Sequence, residues 1–168
     1  MDTRLALAIC VVLGCALCGR ALADAARRRA NTLRALTEGM KVLRIHMTGM
    51  LEPVQCALAA ANCPLFSLVA EAMGGGRSAG EAWRSVRRPA MRRGGPADAL
   101  TESDARALDG LFNRLGETGR EEQGTLIDAS LEVLEGLRDE AAKRAAEAGR
   151  LYLSLGVLVG LMLALIVL

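Results

Sequence analysis

Five cysteines, a single histidine and a cluster of glycines are the residues of this chain with the best prospect of chemistry, and spacing decides what each can do. Cys15 and Cys18 are separated by two residues, the interval of a dithiol redox pair. No strand-helix pattern surrounds them, and together with Cys10 they lie in an apolar run, where small apolar filler is the better reading. Cys56 and Cys63 lie further along, and a disulfide between them stays open. His46 has no second histidine to join it, which excludes a two-histidine zinc site; it reads as a polar residue on a helix. Gly75 and Gly80 have the glycine spacing of a phosphate loop. Glu81 and Ala82 stand where lysine and a hydroxyl residue would hold the phosphate, so that grip is missing. The sequence has no nucleophile elbow and no paired-cysteine zinc motif. Its carboxylates are many, but none sits in an apolar stretch that would tune it for acid-base work. The chain therefore reads as non-enzymatic, with no catalytic residue, cofactor or metal site.

The elements that would position any functional surface follow from composition. Hydrophobic residues make up 52% of the 168 residues but aromatics only 2%, so the apolar mass is Ala, Leu, Val and Met. Alanine and leucine favour helix, and strand formers are scarce in the middle of the chain. The expected fold is all-α. The net charge of +2, with both signs mixed through the middle and few aromatics to stack on bases, speaks against a nucleic-acid partner.

Both ends are apolar. The run that opens at Leu151 and ends at Leu168 carries no charge, and as a helix it would extend about 27 Å, close to the ~30 Å hydrocarbon core of a bilayer. Gly156 and Gly160 form a GxxxG step for close helix approach, or are glycines of the kind common in membrane helices. A buried core helix is the competing reading for the run. The N-terminal run opens at Leu5, closes at Gly19 and is followed by Arg20. It reads as a short membrane anchor extended to residue 23. It also reads as a signal peptide cleaved after Ala23, which would leave a secreted or surface-anchored helical protein with one C-terminal anchor. A lipoprotein box ending at Cys15 is a third option. Arg27, Arg28 and Arg29 follow the first run, and Lys143, Arg144 and Arg150 precede the second, so the positive-inside rule puts the middle in the cytoplasm. The favoured organisation is an anchor over 1–23, a cytoplasmic helical bundle over 24–149 and a transmembrane helix over 150–168.

Punctuation divides the middle. Leu33, Leu36, Met40, Leu43 and Met47 form the apolar stripe of a helix that runs from about residue 24 to 48, continuous with the first anchor. Pro53 and Pro64 open two short helices, the second ended by Gly74, Gly75 and Gly76. Ser78 with Glu81 is a capping box for a helix through Trp83 and Val86. Residues 92–96 are a loop. Thr101 caps a helix with Leu108, Leu111, Phe112 and Leu115 on one face. After a turn over 116–119, a last helix begins near Arg120, with Ile127, Leu131, Leu134, Ala141 and Ala145 on a repeat of three and four interrupted by Arg138. With no terminator before the apolar run it would continue to Leu168, about 73 Å. Its charges Glu121, Glu122, Arg138, Asp139 and Glu140 are the candidates for contact with a partner, with a solvated face as the alternative.

The whole layout resembles the stage III sporulation protein AB family of endospore-forming bacteria. The specific part is the stretch from Gly149 and Arg150 through Tyr152, Ser154, Gly156 and Val157 to Leu161, which is similar to that family's approach to its last membrane helix. Arg120, Glu121, Glu122 and Gln123 after Leu115-Gly116 resemble its charged-Gln step after a Leu-Gly turn. The stretch from Leu33 to Leu43, with Pro53, Phe66, Ala82 and Trp83, also falls on similar residues. His46 and Gly49 depart from an expected acidic and aromatic residue, and the loop after Gly116 is shortened. The resemblance implies a platform in the mother-cell membrane around the forespore, part of an assembly needed for late forespore gene expression and spore maturation. It further implies a helical domain similar to the cytoplasmic domains of type II secretion and type IV pilus inner-membrane platform proteins. The implied partners are a secretion-type cytoplasmic ATPase and other proteins of the same sporulation assembly; a homo-oligomer is open.

Overall fold

Residues 2–117 and 119–167 are described by the computed structural model, with most side chains of 1–22 and 150–168 outside the description. The described regular structure is entirely helical, as composition requires. The elements are α1 (Asp2–Arg44), a π-helical turn (Ile45–Met50), α2 (Val54–Ala60), α3 (Pro64–Ala72), α4 (Ala79–Ala90), α5 (Glu102–Phe112) and α6 (Arg120–Val167). They form two units, one of Met1–Ala30 with Glu140–Leu168, the other Asn31–Asp139.

Local chemistry accounts for most of the boundaries. Ser78 accepts from the Glu81 amide at 3.3 Å while the Glu81 carboxylate accepts from the Ser78 amide at 3.1 Å, a complete capping box for α4. Thr101 and Asp104 repeat the device for α5. Pro64 occupies the first turn of α3, where its missing N–H costs nothing. Pro53 lies one step earlier than the sequence suggests, as the extended cap of α2 rather than inside it. Gly75 and Gly76 take positive φ after α3, open to glycine without steric cost.

In the unit 31–139, α1 buries Leu33, Leu36, Met40 and Leu43 together with Thr37, whose hydroxyl donates to the Leu33 carbonyl at 2.8 Å and so is satisfied. The expected stripe is therefore the buried one as far as Leu43; Met47 falls in the π turn and is only half-buried. On α6, Gln123, Ile127 and Leu134 are buried and Leu131 half-buried, steps of four, four and three. The two helices run antiparallel here. Arg44 donates to Asp128 at 2.9 Å, and Lys41 reaches Glu135 at 3.3 Å. These pairs are about half exposed and screened by solvent, so they set register while the apolar seam supplies stability.

The short helices α2 to α5 follow one another in contact. Their centre is aromatic. Trp83 stacks on Phe112 with ring centroids 5.0 Å apart, and Phe66 meets Phe112 edge-on at 5.9 Å. Three of the four aromatic residues of the chain thus share one cluster, all fully buried. Burying a Trp or Phe is worth ~3–5 kcal/mol against alanine. Gln55 of α2 donates to the Ala70 carbonyl of α3 at 3.1 Å, and joins those two helices.

α1 meets this cluster at Gly39. A Cβ there would lie 2.8 Å from Cys63 Cβ and 3.2 Å from both the Ala61 carbonyl oxygen and a Phe66 ring carbon. Only hydrogen fits between α1 and the start of α3. Cys63 and Cys56 are both free thiols, so the disulfide left open by the sequence is absent. Cys63 is buried, and burial pushes its pKa up, against weaker opposition from the Phe66 and Leu65 amides.

In the unit of 1–30 and 140–168, Ala23, Ala141 and Ala145 are the buried described side chains. Among the described residues no helix is long and apolar enough to cross a membrane. The expected anchors at 5–19 and 151–168, with Gly156 and Gly160, have nearly all their side chains outside the described residues.

Two outcomes follow from the Gly39 approach and the buried thiol. Gly39→Ala gains ~1 kcal/mol of helix propensity and loses ~1–3 kcal/mol to overpacking against Cys63, Ala61 and Phe66, so thermal unfolding should fall by a few degrees; an unchanged or raised Tm would show that α1 and α3 can separate freely. Alkylation of the folded protein followed by peptide mapping should label Cys56 at least tenfold faster than Cys63, because only the thiolate reacts and Cys63 is both shielded and held protonated. Equal labelling would contradict the burial of Cys63.

Candidate partner-binding surface

The residues singled out for contact lie along α6, and the structure separates them. Glu121 and Glu122 occupy its first turn, where negative charge is favoured by the helix dipole. Arg138 comes 16 residues after Glu122, about 24 Å along the axis at 1.5 Å per residue, and Asp139 follows it. Arg138 donates to Asp139 at 2.8 Å and 3.0 Å through two nitrogens. This bond raises Arg138 above the ordinary guanidinium value, against some desolvation and with help from the charges of Asp139, Glu135 and Glu38. Glu140, in the other unit, is bound by Arg144 one turn on. The charges around Arg138 are therefore internally matched. Glu121 and Glu122 have no ion-pair partner among the described residues.

A groove opens on Arg114, Glu121, Glu122, Thr125, Leu126 and Ala129, and a second on Arg44, Thr48, Arg120, Gly124 and Asp128, with Glu121 and Thr125 lining both. The start of α6 is thus a ridge between two depressions. Arg120 donates to the Thr48 carbonyl and ties this ridge to the π turn. The asymmetry of charge is local: Arg44 is raised above its ordinary value by its hydrogen bond to Asp128 and then by that residue's charge, so one groove has its cation already engaged.

The ridge is held by Gln123. Its side-chain oxygen accepts from the Gly116 amide at 3.1 Å and its amide donates to the Arg114 carbonyl at 3.1 Å. Gly116 has φ of +86°, a conformation for which glycine is suited, and a Cβ there would meet Val54 at 2.9 Å. The Leu-Gly turn and the Gln that follow it are one device: the turn presents two backbone groups and the glutamine satisfies both.

Sequence reasoning missed the π turn. Ile45, Met50 and Leu51 each expose more than half of their surface there, and Leu51 sits at φ 59°, a left-handed conformation costly for a branched residue. His46 and Glu52 close the turn with a 2.9 Å contact between Nδ1 and Oε2, so His46 is a structural polar residue. The only signal in the sequence was the end of the apolar stripe near Met47. The sequence also understated a run of arginines at the end of α4, because near-neutral net charge hides a local excess. Among the described residues no group of histidine, cysteine and carboxylates is placed to hold a metal ion.

The arrangement offers grooves, exposed apolar side chains and, among the described residues, charge without an ion-pair partner. A family model described as stage III sporulation protein AB matches residues 4–168. No curated protein and no solved structure matches the chain. The match covers all but the first three residues and includes the capped helices, the Leu115-Gly116 turn and Gln123. The chain belongs to the stage III sporulation protein AB family, and its role lies in sporulation.

Proposed function

We propose that this chain is a non-enzymatic membrane platform of the assembly joining mother cell and forespore, with its helical middle in the cytoplasm as the docking point for a secretion-type ATPase. The observation that carries the reading is that α1 and α6, which supply the buried seam of the bundle, are the same continuous helices that hold the two apolar runs. A membrane-held element and a partner-facing surface are thereby parts of one backbone ladder. Leu17, Leu158 and Met162 each turn more than 60% of their surface outward, which suits an apolar solvent better than water. Arginines on the inner side of both runs, Arg27 to Arg29 and Arg144 with Lys143, favour a cytoplasmic middle.

Deletion of the gene in its own host should abolish heat-resistant spores after engulfment and leave small forespores, with rescue by the full chain. Normal spore counts would remove the assembly role. A flexible glycine segment inserted after Gly149 interrupts α6 without touching the buried seam; it should reduce sporulation at unchanged protein level. Undiminished sporulation would show that α6 carries no rigid coupling.

A further inference from the structure

Arg84, Arg87, Arg88, Arg92 and Arg93 fall within ten residues at the end of α4 and in the loop behind it. Arg84, Arg87, Arg88 and Arg92 line one groove with Met91 and Glu102. Arg87 is engaged inside the chain, by Glu102 and by Asp109 at 3.2 Å. Arg88, Arg92 and Arg93 are exposed and have no ion-pair partner among the described residues. Residues 77–93 hold six arginines and one glutamate while the whole chain is only +2, so the remainder is net negative.

That negative charge is also concentrated. Residues 117–135 hold six carboxylates and one arginine. Asp128 and Glu135 are engaged by α1, whereas Glu121, Glu122 and Glu132 are exposed without an ion-pair partner among the described residues. Between them Leu126, Ala129 and Val133 recur at steps of three and four, a strip along α6 in which Ala129 and Val133 are exposed. Both faces belong to the unit 31–139, and neither neutralises the other within one chain.

We propose that the arginine groove of one copy binds the acidic strip of α6 of a second copy. The contact is heterologous, one face against a different face, so each bound copy leaves a free groove and a free strip for the next. Guanidinium forks on Arg88 and Arg92 bind the carboxylates of Glu121, Glu122 and Glu132, while Met91 covers the Leu126–Val133 strip and excludes water from it. A foreign acidic protein or an anionic lipid surface would use only the basic half. A second copy uses both halves: Arg88, Arg92 and Arg93 face Glu121, Glu122 and Glu132, and Met91 faces the Leu126–Val133 strip.

The test is sedimentation of the full-length chain in neutral detergent, at about 50 mM and about 500 mM salt. Association should weaken at the higher salt. Arg88→Glu with Arg92→Glu should weaken it at least about tenfold, as should Glu121→Arg with Glu122→Arg, because each sets like charges opposite one another. Mixing the two double variants, or combining all four changes in one chain, should restore it, since opposite charges then face each other again. Restoration also shows that the variants fold. A chain that is monomeric at low salt overturns the proposal, as does association that survives either reversal or loss that no combination restores. Binding of acidic vesicles that depends on Arg88 and Arg92 while self-association does not would likewise overturn it, in favour of a lipid partner.

Discussion

The unit 31–139 depends on Asp109 more than on any other polar group. Its carboxylate accepts from the Trp83 indole at 2.6 Å and holds Arg87 on its other oxygen. Trp83 can be fully buried only because its N–H is satisfied, and its ring then stacks on Phe112, which meets Phe66. Phe66 in turn backs onto Gly39 of α1. One hydrogen bond thus lets the largest side chain in the molecule join α3, α4 and α5 and brings them against α1. With so few aromatics in the chain, no second cluster could substitute. The same carboxylate fixes Arg87, and through it the wall of the arginine groove; the core and the basic surface share an anchor.

Polar groups elsewhere in this unit are used the same way, to close a boundary. Ser78, Thr101 and Gln123 each satisfy backbone groups that a helix end or turn would otherwise leave open. The charges sort into those matched inside the chain, around Arg138 and Arg44, and those without an ion-pair partner among the described residues, at Glu121, Glu122 and the end of α4.

Helix starts were legible in the sequence because their causes are local: Ser78 and Glu81 are three residues apart, as are Thr101 and Asp104, and Pro64 acts on its own turn. The stripe from Leu33 to Leu43 was legible for the same reason, since periodicity on a helix requires nothing from the rest of the chain. Asp109 was not, because nothing near it distinguishes it from other carboxylates and its partner Trp83 lies 26 residues away. Nor did the sequence mark Gly39, whose reason is the close approach of Ala61, Cys63 and Phe66, more than twenty residues on. The π turn left no mark beyond a fading stripe, as its wider winding keeps residues 45–50 helical in composition. Arg88, Arg92 and Arg93 were in plain view, but their meaning depends on what they face, which local spacing does not give.

Gln123 has a consequence for how chains of this kind can change. By binding Arg114 and Gly116 directly, it fixes the rotational phase of α6 about its own axis at the first turn of the helix. The length of chain between Gly116 and Arg120 then has no part in deciding which way α6 faces. Residues can be added or lost there for little beyond the entropy of closing a loop, ~0.6 kcal/mol for each doubling of its length. A change in the length of this connection therefore leaves the bearing of every face on α6 in this unit as it is.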